Sequence, residues 1–298
     1  MRSLGSFLLN TGQVLLGFKN STSTSTTQLG TGRAQSCPAN PPLSCSTGLS
    51  ALEDDSCCLN YPGGQFAQTQ FWNSDPHRGT PGYLGPEKSW TIHGLWPDHC
   101  NGRYDSVCDC DRSGDCSSRN YKCRGDACNR DYSSISAIME KFEQQELHQF
   151  MQQYWKGNQG DESLHQHEWS KHGTCINTLE PKCYDGYVAA QEVVDYFRVA
   201  VDLFKQLPTY EWLAKADIVP TLARTYNRDE ILAALHLPRG VSAVIGCQGA
   251  ELREVWYFFN VRGSLQNGQF VASRPDFSGT NGPGKSCPLQ VRYLPKDI

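Results

Sequence analysis

His167, Glu168, Lys171 and His172 crowd into the stretch His-Glu-Trp-Ser-Lys-His-Gly-Thr-Cys (167–175). On a helix, Glu168 and His172 stand four apart on one face, Lys171 lies three from Glu168 beside them, and His167 falls at the edge of that face. Imidazoles exchange protons near neutral pH, and a lysine beside a protonated histidine neutralises an anion. The set therefore suits acid–base chemistry on an anionic substrate. Gly173 and Cys175 supply a helix stop and a covalent anchor. A distant histidine, His93, lies in Ser-Trp-Thr-Ile-His-Gly-Leu-Trp-Pro-Asp (89–98). For both stretches to act together, His93 and His172 must flank one substrate atom across a cleft open to solvent.

Zinc proteases place two histidines four apart around a glutamate. Here the position four after His167 is Lys171, and the second histidine is five away. That spacing turns the two imidazoles about 140° apart on a helix, so no shared metal, and no cofactor, is expected. A substrate that carries its own nucleophile needs none. RNA is one: its 2′-hydroxyl lies beside the scissile phosphate, which makes the attack intramolecular. Trp96 and Tyr104 offer flat faces for an unstacked base, although their types alone fit ordinary core aromatics equally well.

The elements that must hold these residues follow from periodicity. Gln65–Trp72 alternates polar and apolar residues as a strand does, and Ser89–His93 is a shorter strand that ends in a turn at Gly94 and Pro97. Apolar residues from Ile135 to Tyr154 keep helical spacing, predicting one long amphipathic helix over 134–155. The motif helix covers about 165–173. Val188, Val193, Val194, Phe197, Val201 and Phe204 form the stripe of a helix over 187–207, ended by Pro208. Asn227 with Glu230 starts a helix over 228–236. Val241–Gly246 and Val255–Val261 are strands by β-branched and aromatic content. The expected fold class is α+β: an antiparallel sheet with helices packed on one face and multiple disulfides.

The chain has 298 residues, a formal net charge of −4 and 14 cysteines. The acidic balance argues against a broad basic surface for duplex nucleic acid, but leaves room for a small cationic pocket. Fourteen cysteines in a polar, aromatic-rich sequence point to a secreted protein, with a vacuolar or lysosomal one as the alternative. No run of 18 apolar residues occurs, so no membrane partner is expected. Residues 1–36 read as a signal and linker segment: an interrupted apolar stretch, then a Ser/Thr run, with a glycosylation sequon at Asn20–Thr22. Six cysteines fall within residues 100–130 among Asp, Arg, Gly and Ser. That segment cannot hold itself together by burial, so disulfides must do it.

Residues 90–98 and 167–175 resemble the two active-site segments of the T2 family of ribonucleases, fungal branch. The likeness runs from about Cys37 to the C-terminus, and includes Gln70-Phe-Trp72 and Tyr-Trp-Lys-Gly-Asn-Gln (154–159). It implies a single domain over 37–298, with a Cys-rich insertion at about 105–127. It implies a monomeric, metal-independent endoribonuclease of low base specificity and acidic optimum, acting on single-stranded RNA. His93 and His172 would be the acid–base pair, with base and acid labels interchangeable. Glu168 and Lys171 would meet the transition-state phosphate, and His167 would help bind it. Trp96, Asp98 and Tyr104 would form the pocket for the base 5′ to the cut. Gln70, Asn158 and Gln159 would lie near the second base, and Leu164 and His165 stand where the family has an aromatic. The resemblance also implies the disulfides Cys37–Cys58, Cys45–Cys100, Cys57–Cys183 and Cys247–Cys287, with Cys128 the best partner for Cys175. Cys108, Cys110, Cys116 and Cys123 are then left for two further disulfides inside the insertion; a zinc knuckle is the competing reading.

Overall fold

The computed structural model describes residues 33–46, 57–75, 77, 79–115, 122–123, 133–237, 240–275 and 287–296. Residues 1–32, with the signal segment and the sequon, lie outside the described residues, as do Cys116 and Cys128.

In chain order the strands are β1 (Arg33–Ala34), β2 (Gln65–Phe71), β3 (Thr91–Asp98), β4 (Tyr184–Asp185), β5 (Tyr226–Asn227), β6 (His236–Leu237), β7 (Val241–Ser242), β8 (Val244–Gln248), β9 (Glu251–Arg262), β10 (Gln269–Ala272) and β11 (Gln290–Val291). The helices are α1 (Cys110–Ser113), α2 (Ile135–Lys141), α3 (Gln145–Tyr154), α4 (Asp161–Lys171), α5 (Gln191–Lys205), α6 (Thr209–Lys215) and α7 (Arg228–Ala234). The main sheet is antiparallel, in the order β10-β9-β2-β3, with β8 also paired to β9. The fold is α+β, as expected.

Alternation along the strands decides which face is covered. Phe66, Ile92, Leu95, Val255, Tyr257 and Phe259 enter the main core, where they meet Val193, Val194, Phe197, Val201 and Phe204 of α5. Burying one such side chain contributes about 1.5–3 kcal/mol, so the stripe on α5 fixes how that helix lies on the sheet. Tyr196 fastens it further by donating its hydroxyl to the Leu95 carbonyl at 3.1 Å. The opposite face carries a smaller cluster of Ala67, Trp256 and Phe258, with Trp96 and Val244 against it.

Three expectations about the elements need correction. The single helix over 134–155 is two, α2 and α3, because Glu143 adopts φ 54° and breaks the run. Apolar spacing stays nearly in phase across such a break, so periodicity alone does not reveal it. The turn at Gly94 and Pro97 is absent, and β3 continues to Asp98. Pro97 is tolerated because β3 is an edge strand and loses no ladder bond on its open side. Finally, Arg33–Ala34, assigned to the leader, pairs with Tyr184–Asp185.

The disulfides Cys37–Cys58, Cys45–Cys100, Cys57–Cys183 and Cys247–Cys287 are formed as the resemblance implies. Cys175, however, bonds Cys108 and not Cys128, and Cys110 bonds Cys123. The reason lies in how the insertion packs on α4. The Val107 N–H donates to the Lys171 carbonyl at 3.0 Å, and the Cys108 N–H donates to Thr174 Oγ1 at 3.0 Å. The Trp169 indole donates to the Arg112 carbonyl at 2.6 Å, and the buried Arg112 guanidinium donates to the carbonyls of Leu179 and Thr174. The start of the insertion is thus stitched along the motif helix, which brings Cys108 to Cys175.

Candidate active site

His93 owes its direction to an irregularity in the sheet. Thr69 is opposite Gly94 and Gln70 is opposite Ile92, which leaves His93 as the extra residue of β3. A bulge of this kind re-aims a side chain. The ring stacks on Phe71 with centroids 3.8 Å apart at 21°, and meets the Trp96 ring edge-on at 4.8 Å. From behind, the Trp155 indole donates to the His93 carbonyl at 2.8 Å.

α4 brings the second set. Glu168 and Lys171 lie on the helix and His172 caps it, with its N–H donating to the Glu168 carbonyl at 3.1 Å. Glu168 Oε1 is 3.7 Å from His93 Nε2, and Trp96 donates its indole N–H to Glu168 Oε2 at 2.7 Å. Two stretches remote in sequence therefore meet through one carboxylate. The His167 and His172 rings are 6.5 Å apart at 82°, and Lys171 Nζ is 5.7 Å from the Tyr104 ring. Tyr104 is exposed, whereas Asp98 beside it is buried.

Electrostatics follow from this burial. Desolvation, then repulsion from His167 and Lys171, holds His93 down at about 3, although an edge of its ring stays open. Desolvation also holds His172 well below the usual imidazole range, helped by Lys171, His167 and His93. The same burial raises Glu168 to about 8, against the opposing pull of the Trp96 hydrogen bond and Lys171. Asp98 rises to about 8 for the same reason, opposed only by Lys171. At acidic pH both carboxyls are therefore neutral and able to donate as well as accept.

His172 departs from expectation. It is 4% exposed, both ring nitrogens are sealed without a hydrogen-bond partner, and the Trp96 indole is stacked on it at 5.0 Å and 19°. Trp96 thus packs against both imidazoles, and its large flat side chain covers the one on α4. Gln70 departs as well. It is fully buried, donating to Gln68 and the Leu207 carbonyl and accepting from Thr209, so no free amide faces a base. Asn158 and Gln159 are exposed between α3 and α4. His165 is buried, bonded to the Trp155 carbonyl at 2.9 Å and held down at about 4 chiefly by desolvation, while Leu164 packs on the main core. Residues missed from sequence are Phe71 under His93, Trp155 behind it, and Glu254, whose Oε1 is 3.9 Å from His93 Nδ1. An acid just ahead of the aromatic run of β9 was the signal for the last.

Gly94 makes the assembly possible. A β-carbon there would collide with the Glu168 carboxylate and the Trp96 indole nitrogen. Gly94→Ala is expected to lower the melting temperature as well as the rate, because the carboxylate it displaces is fully buried and the indole nitrogen belongs to a rigid ring. Displacing that carboxylate should lower kcat about 100-fold, measured on polyuridylate.

Two imidazoles, a buried carboxylate and a lysine gather between an edge strand and a helix, a set whose chemistry suits proton transfer on an anion. The Ribonuclease T2 family model matches residues 63–270, and the chain belongs to that family. It is 46% identical to Ribonuclease Trv of Hypocrea rufa over 264 residues, covering 88% of this chain and 99% of that one. It is 42% identical to Ribonuclease T2 of Aspergillus oryzae over 265 residues, covering 88% and 84%. The crystal structure of Actibind, a T2 ribonuclease, superposes with a TM-score of 0.71 at 40% identity, covering 89% of this chain and all of that one. The protein is a T2-type endoribonuclease, and RNA is its substrate.

Proposed function

We propose that the enzyme cleaves single-stranded RNA with low base specificity, in two steps. In the first, one imidazole of the pair His93 and His172 takes the 2′-hydroxyl proton and the other protonates the departing 5′-oxygen. The 2′-oxygen bonds to phosphorus as the P–O5′ bond breaks, giving a 2′,3′-cyclic phosphate. In the second, the roles reverse and water opens the ring to a 3′-phosphate. Glu168, Lys171 and His167 stabilise the charge that develops on the phosphoryl oxygens. Trp96, Tyr104 and Asp98 take the base 5′ to the cut.

The observation that carries this reading is the 3.7 Å approach of Glu168 to His93, which makes one site of two distant segments. The cover over His172 adds a requirement: the base must draw the Trp96 indole away before that imidazole reaches the phosphate. Stacking of a base on an aromatic face supplies about 1–3 kcal/mol toward such a move. Binding of a non-cleavable 2′-deoxydinucleotide is therefore expected to change tryptophan fluorescence, and Trp96→Phe should remove most of that change.

Lowered imidazole pKa values set the pH dependence. Above its pKa, the protonated fraction of an imidazole falls about tenfold per pH unit. The acid form needed for catalysis is thus depleted as pH rises, and cleavage should peak at acidic pH. Homopolymer RNA incubated at pH 5 with EDTA should be cut, with the cyclic phosphate visible by ³¹P NMR before the 3′-phosphate. DNA, which lacks the attacking hydroxyl, should survive. Products carrying 5′-phosphates, or cleavage abolished by EDTA, would overturn the mechanism. The disulfides and the similarity to fungal T2 ribonucleases support an extracellular or vacuolar location; action as a monomer is part of the proposal. Among the described residues no helix is long and apolar enough to cross a membrane.

A further inference from the structure

We propose that Glu254 is a positioning residue for His93, a role that rests on the acid–base reading of that histidine. β9 places Glu254 directly opposite Phe71 of β2, and Phe71 carries the His93 ring. Glu254 Oε2 accepts the Trp256 indole N–H at 3.1 Å, which leaves Oε1 turned toward His93 Nδ1 at 3.9 Å. That Nδ1 is sealed from solvent and has no hydrogen-bond partner, whereas Nε2 faces Glu168. The ring therefore has two different sides. One meets the phosphate-binding set on α4, with Glu168, Lys171 and His167 in range; the other meets Glu254 on β9.

A distance of 3.9 Å is too long for a resting hydrogen bond, but catalytic hydrogen bonds often tighten only when the charged form arises. Once His93 carries a second proton, its Nδ1–H donates to Glu254 and the ion pair stabilises the imidazolium. The proton exchanged with substrate is then the one on Nε2. A hydrogen bond to one ring nitrogen fixes which nitrogen is free to react, and such a carboxylate also raises the basicity of the ring. Phe71 holds the ring from its face, so the orientation set by Glu254 persists when Trp96 moves.

The test compares wild type with Glu254→Gln, which keeps an acceptor for Trp256 but lacks the charge, with His93→Phe as control. Dinucleotide cleavage is followed from pH 3.5 to 8, and the His93 nitrogens are observed by ¹⁵N NMR. Glu254→Gln is expected to lower kcat on the order of tenfold with KM near wild type. The limb reporting imidazolium formation should move to lower pH, by about half a unit or more. Glu254→Asp should recover part of the rate. Wild-type kcat with an unmoved limb, or a lower melting temperature alone, would assign Glu254 a packing role and overturn the proposal. If His93→Phe itself retains most of the rate, the acid–base reading has failed and the positioning role falls with it.

Discussion

His93→Phe is expected to lower kcat on homopolymer RNA by at least about 1,000-fold, within the range that a positioned acid or base contributes. Phenylalanine preserves the flat ring stacked on Phe71, so the melting temperature should hold and the loss would belong to chemistry. His172→Phe should lose as much. It is the sharper experiment, because the structure shows that ring covered by Trp96 and closed to solvent. Both variants must also fail to open a preformed 2′,3′-cyclic dinucleotide, since the second step uses the same pair in reverse. A His172 variant retaining more than a tenth of the wild-type rate would remove that residue from the pair, and with it the need for Trp96 to move.

The second large effect concerns Glu168, where activity and stability should part company. Its carboxyl is held at about 8 in the folded protein, chiefly by desolvation, against about 4.3 in an unfolded chain. A raised folded pKa gives stability that is fully present below the unfolded value and is lost as pH rises through the folded one. Glutamine keeps an acceptor for the Trp96 indole but cannot ionise on unfolding. Glu168→Gln and wild type should therefore melt alike near pH 4. The variant should become the more stable by about 4 kcal/mol near pH 7, following the linkage relation. Over the same range kcat should fall about 100-fold, the scale expected when one stabiliser of transition-state charge is removed. Equal melting temperatures at every pH would show that the carboxyl is not held neutral.

The glycine requirement is of a different kind. Gly94 sits where backbone, carboxylate and indole converge, and no spacing rule announces it. Likewise the bulge that singles out His93 comes from a register mismatch with β2, which only the paired strands reveal.

Local spacing was sufficient wherever neighbours in sequence are neighbours in space. Glu168, Lys171 and His172 were readable as one helical face, the stripe of α5 as buried, and Asn227 as a cap, whose side chain accepts the Asp229 N–H at 2.8 Å. Resemblance extended this to His93 and to four disulfides, because whole segments match in order. Tertiary structure alone decided what depends on how distant segments return to one another. It chose Cys108 over Cys128 for Cys175, laid Trp96 across His172, set Gln70 into packing and brought Glu254 beside His93. Helical periodicity is a property of a few consecutive peptide units; these contacts are fixed by strand register and by competition for space in the packed interior, where a one-residue shift reverses the face a side chain occupies.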